Sequence, residues 1–221
     1  MSGLEFLSPT GAQANGHTPI ARSPMEGKAQ AAGARFEVRD GWNVAVEYAG
    51  GDGSIGEVAW ADVSHMRKFE LREQGIENAR ANGTASEFGT ATRSSDGWWC
   101  PLTSERALLV GGSEVPDGGL DVTTCFAALT ILGPQARETI ARFCALDLRP
   151  HKAPPHSFRP GSIARQPGML VVEAEDRFLL LFGWAVAEYM WTVVDDAARS
   201  LGGSPVGVET LARASEVGTS A

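Results

Sequence analysis

The chain has 221 residues, of which 43% are hydrophobic and 21% charged, proportions that are ordinary for a globular protein. The formal net charge of −8 argues against non-specific binding to nucleic acids, because that binding depends on clustered Lys and Arg side chains. The longest apolar run, at 178–187, includes a glycine and is far shorter than the roughly 20 residues of a membrane-spanning helix. Neither nucleic acid nor a membrane is therefore expected as a partner.

The cellular compartment is predicted from the N-terminus and the cysteines. The first residues contain no basic stretch followed by an apolar one, so they do not resemble a secretory signal. Cys100, Cys125 and Cys144 are widely spaced, odd in number and include no C-x-x-C pair. These features predict reduced, buried thiols in a cytoplasmic protein, with a reactive thiol as the alternative.

The first predicted elements are a helix and a hairpin. Ser23 followed by Pro24 predicts a helix start, with the serine as N-cap and the proline at the first helical position. Residues 35–51 then predict two short strands joined at Asp40-Gly41, a dipeptide favoured in tight hairpin turns.

Two short patterns, the first of them followed each time by a strand-like segment, occur twice in the same order and predict an internal duplication. The matched pairs are Asp62-Val63-Ser64 with Asp121-Val122-Thr123, the strand-like segments 68–72 with 128–132, and the acid-Arg strands 105–112 with 176–183. Each half is predicted to contain a strand, a helix, a further strand and the acid-Arg strand.

Two helices are predicted in the second half. Residues 133–148 place Pro134 near a helix start and put Ala136, Ile140, Phe143 and Cys144 on one apolar face. A later helix has an apolar stripe that ends at Gly202, a predicted C-cap. The stripe consists of Ala187, Met190, Trp191, Val194, Ala198 and Leu201.

These elements predict an α+β, two-layer fold with duplicated ferredoxin-like halves at about 35–115 and 120–202. Residues 24–205 form the single predicted domain. Residues 1–23 are predicted to be a flexible N-terminal arm and residues 206–221 a flexible tail, because neither has a clear apolar period.

His65 is the most suggestive of the four histidines, because it follows Ser64 and lies near Asp62. A Ser-His-Asp triad is nevertheless not expected, since neighbours in sequence rarely converge in the required geometry. If this segment is a strand, Ser64 and His65 face opposite sides of the sheet. The chain also contains no G-x-S-x-G motif.

The Pro-rich loop at 149–161 carries Arg149, His151 and Lys152, together with His156. The spacing of its histidines matches no known metal motif, so no metal site is predicted. The alternatives are a solvated loop and a basic contact for an acidic partner or an anionic ligand.

The chain contains neither a Walker motif nor a G-x-G-x-x-G fingerprint, so no nucleotide or flavin site is predicted. Trp98 and Trp99 are adjacent, and two neighbouring rings in a strand cannot be buried on one face. We therefore expect one of them to contact a partner.

The N-terminal third resembles the aminomethyltransferase family, which includes the T-protein of the glycine cleavage system. The resemblance rests on Gly33-Ala34-Arg35, Gly41-Trp42, Tyr48 and Asp62-Val63-Ser64-His65-Met66. It implies a domain of the aminomethyltransferase N-terminal type. Asp62, Ser64, His65 and Tyr48 are then candidates for contacting folate or a partner.

Across about residues 20–202 the chain is also similar to the gamma subunit of heterotetrameric sarcosine oxidase. The shared stretches are Arg22-Ser23-Pro24, Trp99-x-Pro-Leu, the run 133–150 with Cys144-Ala145-Leu146-Asp147-Leu148, and the closing segment 178–194. This resemblance implies alpha, beta and delta partner subunits. It also implies a complex that uses FAD, FMN, NAD and tetrahydrofolate, with no cofactor in this chain.

One departure from the T-protein family bears on catalysis. That family has an acidic pair in the strand before the acid-Arg strand, and the matching place here, 166–172, contains no Asp or Glu. The resemblance therefore implies an accessory subunit that is not catalytic alone, with Trp98, Trp99, Arg149, His151 and Lys152 as interface candidates.

Two alternatives stay open. One is a stand-alone, T-protein-like protein that binds folate, and the other is a regulatory or interaction module unrelated to one-carbon metabolism.

Overall fold

The computed structural model describes residues 18–49, 55–72, 76, 87–94, 97–112 and 114–218, with side chains as far as 214. Its strands are Ala21–Arg22 (β1), Ala34–Arg39 (β2), Trp42–Tyr48 (β3), Ala59–Asp62 (β4), Lys68–Arg72 (β5), Thr92–Arg93 (β6), Trp98–Thr103 (β7), Arg106–Val110 (β8), Gly119–Asp121 (β9), Phe126–Leu132 (β10), Phe158–Ile163 (β11), Gln166–Ala174 (β12), Arg177–Gly183 (β13) and Ser204–Pro205 (β14). The α-helices are Glu26–Ala31 (α1), Ala136–Ala141 (α2), Ala187–Arg199 (α3) and Val208–Gly218 (α4), with 3-10 turns at Thr123–Cys125 and Trp184–Val186.

The two larger sheets share one topology. The six-stranded sheet has the order β11-β12-β13-β10-β4-β14, and the five-stranded sheet has the order β6-β7-β8-β5-β9. Four antiparallel strands therefore recur as β6-β7-β8-β5 and β11-β12-β13-β10. The predicted α+β fold with duplicated halves is confirmed.

Each half places its leading strand in the sheet of the other half. Strand β4 precedes β5 in the chain but pairs with β10, and β9 precedes β10 but pairs with β5. The repeated Asp-Val-Ser/Thr pattern lies where the chain passes from one sheet to the other.

The hydrogen bonds at the two crossings are equivalent. Val63 donates its backbone N–H to Ala128 O at 3.0 Å, and Ser64 Oγ accepts the Ala128 N–H at 3.1 Å. In the second copy, Val122 donates its backbone N–H to Lys68 O at 2.9 Å, and Thr123 Oγ1 accepts the Lys68 N–H at 3.0 Å. The internal repeat thus preserves a pair of interlocking contacts.

The six-stranded sheet is buried on both faces, because its side chains alternate between two apolar clusters. Leu180 packs with Ile140 of α2 and Trp191 of α3, whereas Leu179 packs with Leu108 of the five-stranded sheet. Five residues of the predicted stripe on α3 are buried, namely Ala187, Met190, Trp191, Val194 and Ala198. The sixth, Leu201, lies after the helix has ended at Arg199, and the C-cap is Ser200 instead of the predicted Gly202.

The hairpin at β2–β3 forms as predicted. Asp40 and Gly41 have φ angles of 48° and 78°, which suit a two-residue turn with both central residues left-handed. The predicted helix start at Ser23 is wrong by two residues, because α1 begins at Glu26 after Met25. Ser23 Oγ accepts the Met25 N–H at 3.1 Å and its hydroxyl donates to Asp62.

Helix α2 is shorter than the predicted range of 133–148, because it ends at Ala141. Cys144 forms an isolated β-bridge with Ile163, so the backbone leaves the helix to meet strand β11. The predicted apolar face still forms: Ala136, Ile140 and Cys144 are buried.

Both chain ends differ from the predicted flexible segments. Residues 1–17 of the predicted arm lie outside the described residues, and Ala21–Arg22 pair with β3. The predicted tail contains α4, with Leu211 only 6% exposed, and Val206 donates its N–H to Trp60 O at 2.8 Å. Val206 and Leu211 join the cluster between the two sheets, which explains why this short segment is ordered.

The crossing hydroxyls can be tested by substitution. Ser64→Ala and Thr123→Ala each leave a buried N–H without its acceptor, so each should lower the free energy of unfolding by roughly 1–3 kcal/mol. Urea denaturation monitored by circular dichroism measures the change. Thr192→Ala, at an exposed position in α3, is the control and should change stability by less than about 0.5 kcal/mol. Equal stability of the two crossing variants and the control would contradict the assignment.

Candidate functional site

Asp62 ends strand β4 and is almost fully enclosed, with 8% of its surface exposed. Its Oδ1 atom accepts the Ser64 N–H at 2.9 Å, and its Oδ2 atom accepts the Ser23 hydroxyl. Burial raises the pKa of Asp62, whereas the hydrogen bonds from Ser23 and Ser64 act in the opposite direction. Both carboxylate oxygens are thus engaged within the chain.

Ser64 and His65 lie in the turn between β4 and β5, so the expectation that they occupy a strand is wrong. Asp62 forms an Asx-turn, in which its side-chain Oδ1 accepts the backbone N–H of Ser64, two residues further on. This hydrogen bond explains why the chain turns here. Ser64 Oγ is committed to the Ala128 N–H of the crossing.

Lys68 stabilises this turn from within the protein. Its side chain is fully buried, and Nζ donates to Ser64 O at 2.9 Å and to Met66 O at 2.7 Å. Burial lowers the pKa of Lys68 to about 8, and the nearby carboxylates of Asp62 and Asp121 limit that decrease. The ammonium therefore fixes the backbone on both sides of His65.

His65 is held in a largely enclosed position. Burial, followed by the charges of Lys68 and Arg39, lowers its pKa to about 4, and Asp40 acts in the opposite direction. Tyr48 lies near Asp62, and burial together with that carboxylate raises its pKa. Within the described part of the chain, the Tyr48 hydroxyl is buried and makes no hydrogen bond.

The structure brings the candidates Asp62 and His65 together around a very small void. The void measures about 10 Å³ and is also lined by Ser23, Phe36 and Trp42. That volume is about what one water molecule requires. An organic ligand cannot enter this place without displacing the side chains around it.

A larger cleft opens on the other side of His65, with a volume of about 740 Å³. Its lining combines Arg39 and Arg67 with Asp40 and Asp121, so the formal charges of these four residues cancel. Arg39 is already paired with Glu37 at 3.0 Å and with Glu209. The cleft is therefore large enough for a small molecule and is lined by hydrogen-bonding groups, but the charged residues in its lining carry no net formal charge.

The expectation of an exposed ring at Trp98 or Trp99 is wrong, because their exposed fractions are 3% and 5%. The two rings occupy separate clusters on opposite faces of β7, and both faces are covered. Trp98 Nε1 donates to Glu173 Oε1 at 2.6 Å and its ring packs on His156, with 5.3 Å between ring centroids. Whether either tryptophan contributes to an interface stays a prediction.

The basic loop is exposed at Arg149, His151 and Lys152. Arg149 is neutralised by Asp147, with 2.5 Å between Nη2 and Oδ2, so the loop is less positive than its composition indicates. Across the described residues, no cluster of His, Cys, Asp and Glu side chains could hold a metal ion. The interface role of this loop also stays a prediction.

Strand β12 is apolar where the T-protein family has its acidic pair. Leu170, Val171 and Val172 are fully buried, and the first carboxylate is that of Glu173. Glu173 is bonded to Trp98 and accepts the Arg177 Nε–H at 3.1 Å. The equivalent strand of the first half, β7, contains no Asp or Glu at all.

The fold of the duplicated halves, with exchanged leading strands, is similar to that of two solved structures. The chain is similar to a chain of the heterotetrameric sarcosine oxidase from Corynebacterium sp. U-96 in complex with pyrrole 2-carboxylate, with a TM-score of 0.64 and 19% identity. That match covers 84% of this chain and 98% of the other chain.

The chain is also similar to the glycine cleavage system aminomethyltransferase T from Bartonella henselae, with a TM-score of 0.66 and 14% identity. This match covers 87% of this chain and 61% of the aminomethyltransferase. No protein-family model and no curated protein matches the sequence. At these identities the two structures establish the fold.

None of the helices in the described ranges combines the length and apolar character needed to cross a membrane.

The pKa of His65 leads to a test of its enclosure. A folded-state pKa of about 4, below the reference value of 6.5, means that the unfolded chain binds more protons between these two pH values. Stability should therefore fall as the pH is lowered through this window, by at most about 3 kcal/mol from this residue.

His65→Gln should remove that part of the pH dependence. Urea denaturation at about pH 7 and about pH 4.5 measures the difference, and His151→Gln, in the exposed loop, is the control. An identical loss of stability in wild type and His65→Gln would show that His65 is not enclosed in solution.

Proposed function

We propose that this chain is a gamma-like accessory subunit of a heterotetrameric sarcosine oxidase-type complex. The observation that supports this proposal best is the coverage of the structural matches. The similar fold accounts for 98% of the sarcosine oxidase chain but for only 61% of the aminomethyltransferase. The chain thus spans about 61% of the length of that aminomethyltransferase.

In this proposal the complex oxidatively demethylates sarcosine or a related N-methyl amino acid and passes the methyl carbon to tetrahydrofolate. The alpha, beta and delta subunits carry the FAD, FMN, NAD and tetrahydrofolate sites, and the complex is cytoplasmic. This chain supplies a folded surface on which those subunits assemble.

The site residues do not fit tetrahydrofolate. The void beside Asp62 and His65 measures about 10 Å³, and both oxygens of the Asp62 carboxylate already accept hydrogen bonds. Strand β12 offers buried aliphatic side chains at Val171 and Val172 instead of a carboxylate. Within the described residues, neither this void nor strand β12 as far as Val172 offers a carboxylate without an internal partner that could stabilise positive charge on a folate nitrogen.

The second candidate function is a stand-alone, T-protein-like protein that binds folate. The cleft of about 740 Å³ beside His65 favours it, because its volume is typical of small-molecule sites. The two candidates predict opposite results for the isolated chain.

Affinity purification tests the assembly role. The tagged full chain, expressed in its native cells, should recover a larger flavoprotein that shows flavin absorbance and oxidises sarcosine. Deleting this chain should reduce the yield of the assembled flavoprotein. Recovery of the chain alone, together with undiminished flavoprotein assembly in the deletion strain, would contradict the proposal.

Titration with tetrahydrofolate tests the alternative. The isolated chain should show no saturable binding by calorimetry, because the enclosed void cannot admit the ligand. His65→Gln is the matched control, since any folate bound in the adjoining cleft would contact this residue. Tight binding to wild type that weakens in His65→Gln would favour the folate-binding function.

A further inference from the structure

The hairpin turn between β11 and β12 has an unusual backbone. Ile163 pairs with Gln166, so Ala164 and Arg165 alone make the turn. Their φ angles are 49° and 63°, in the left-handed region that Asn and Gly normally supply in such turns. Two consecutive residues with Cβ atoms are therefore held in a conformation that side chains disfavour.

Neighbouring elements hold this turn in place. Ala164 donates its N–H to Phe143 O at 2.8 Å and accepts the Tyr189 hydroxyl at 3.1 Å through its carbonyl. Both polar backbone groups of Ala164 are thus anchored, one after α2 and the other on α3. The anchored turn presents Arg165, which is exposed.

The turn forms one wall of a pocket of about 460 Å³. Phe143, Val193 and Tyr189 give the pocket an apolar and aromatic lining, and 47% of the Tyr189 surface is exposed. Arg142 and Arg165 are the charged residues among those lining it. Two arginines and no acidic residue line this pocket on a chain with a net charge of −8, although Glu138, outside the lining, lies 3.7 Å from Arg142.

The two arginines are available to an external carboxylate. Across the described residues, Arg165 makes no hydrogen bond or ion pair with another side chain. Arg142 is 40% exposed, donates to Ser200 Oγ and lies 3.7 Å from Glu138, a long contact for an ion pair. A carboxylate bound between these two residues would accept charge-assisted hydrogen bonds from their guanidinium groups, each of which can donate two N–H groups in parallel.

We propose that this pocket is a docking site for an acidic segment of a partner subunit, in which an Asp or Glu carboxylate binds Arg142 and Arg165. An apolar side chain next to that carboxylate packs on Tyr189 and Phe143. The exposed lining favours a polypeptide over a small molecule, because small-molecule sites bury most of their ligand. Tyr and Arg are also the residues that most often anchor protein interfaces. This proposal rests on the proposed accessory function.

The test compares two double variants with the same net charge. Arg142→Gln/Arg165→Gln removes both docking cations, and Arg22→Gln/Arg35→Gln removes two exposed arginines that form ion pairs on strands β1 and β2. Each full-length variant is titrated against the flavoprotein subunits recovered with the wild-type chain. The docking variant should raise the dissociation constant at least about tenfold, and the control less than about threefold.

A third variant separates docking from folding. Arg165→Gly suits the left-handed backbone, so its melting temperature should equal or exceed that of wild type while its affinity for the partner subunits falls. A merely structural role for Arg165 would not produce that combination.

Equal affinity of the docking and control variants would overturn the docking proposal and leave the accessory function standing. Failure of the wild-type chain to bind any flavoprotein subunit would overturn both. Binding of free acetate to the isolated chain below about 1 mM, lost in Arg165→Gly, would assign the pocket to a small carboxylate instead.

Discussion

Two buried hydroxyls, Ser64 and Thr123, lock the halves of the fold together. Ser64 accepts the N–H of Ala128 in β10, and Thr123 accepts the N–H of Lys68 in β5. In each case the preceding valine donates its own N–H to the carbonyl of the same residue. Because β4 and β9 lie in the sheet of the other half, neither half closes its own sheet. The core between the sheets, the placement of α3 and the enclosure of Asp62 all depend on these crossings.

The same crossing explains why the side chains of Asp62 and Ser64 are enclosed. Asp62 lies at the start of the first crossing. Its two carboxylate oxygens accept hydrogen bonds from the Ser64 N–H of the turn and from the Ser23 hydroxyl. Lys68 lies below, where it binds the carbonyls of the turn. Both charged groups are bound by partners within the chain, and they stabilise the backbone of the turn.

Much of the fold could be predicted, because alternation and repetition are local signals. The strands at 68–72 and 177–183, the Asp40-Gly41 turn and the α3 stripe all follow from residue spacing. The site could not be predicted from the sequence. Lysine is rarely buried, and the burial of Lys68 depends on which strands and turns pack around it in the folded chain. The turn at 164–165 could not be predicted either, because Ala and Arg are not residues that normally occur in turns with a left-handed backbone.

The pairing of β4 has a consequence for the kinetics of folding. Its partners, β10 on one side and β14 on the other, are made much later than β4 itself, and β14 lies beyond α3. One edge of the nascent strand therefore stays unpaired until β10 has been synthesised, and the other edge until β14 has been synthesised. Long-range pairing of this kind slows folding and exposes strand edges to aggregation. A truncation before Ser204 would leave one edge of β4 permanently without its partner strand.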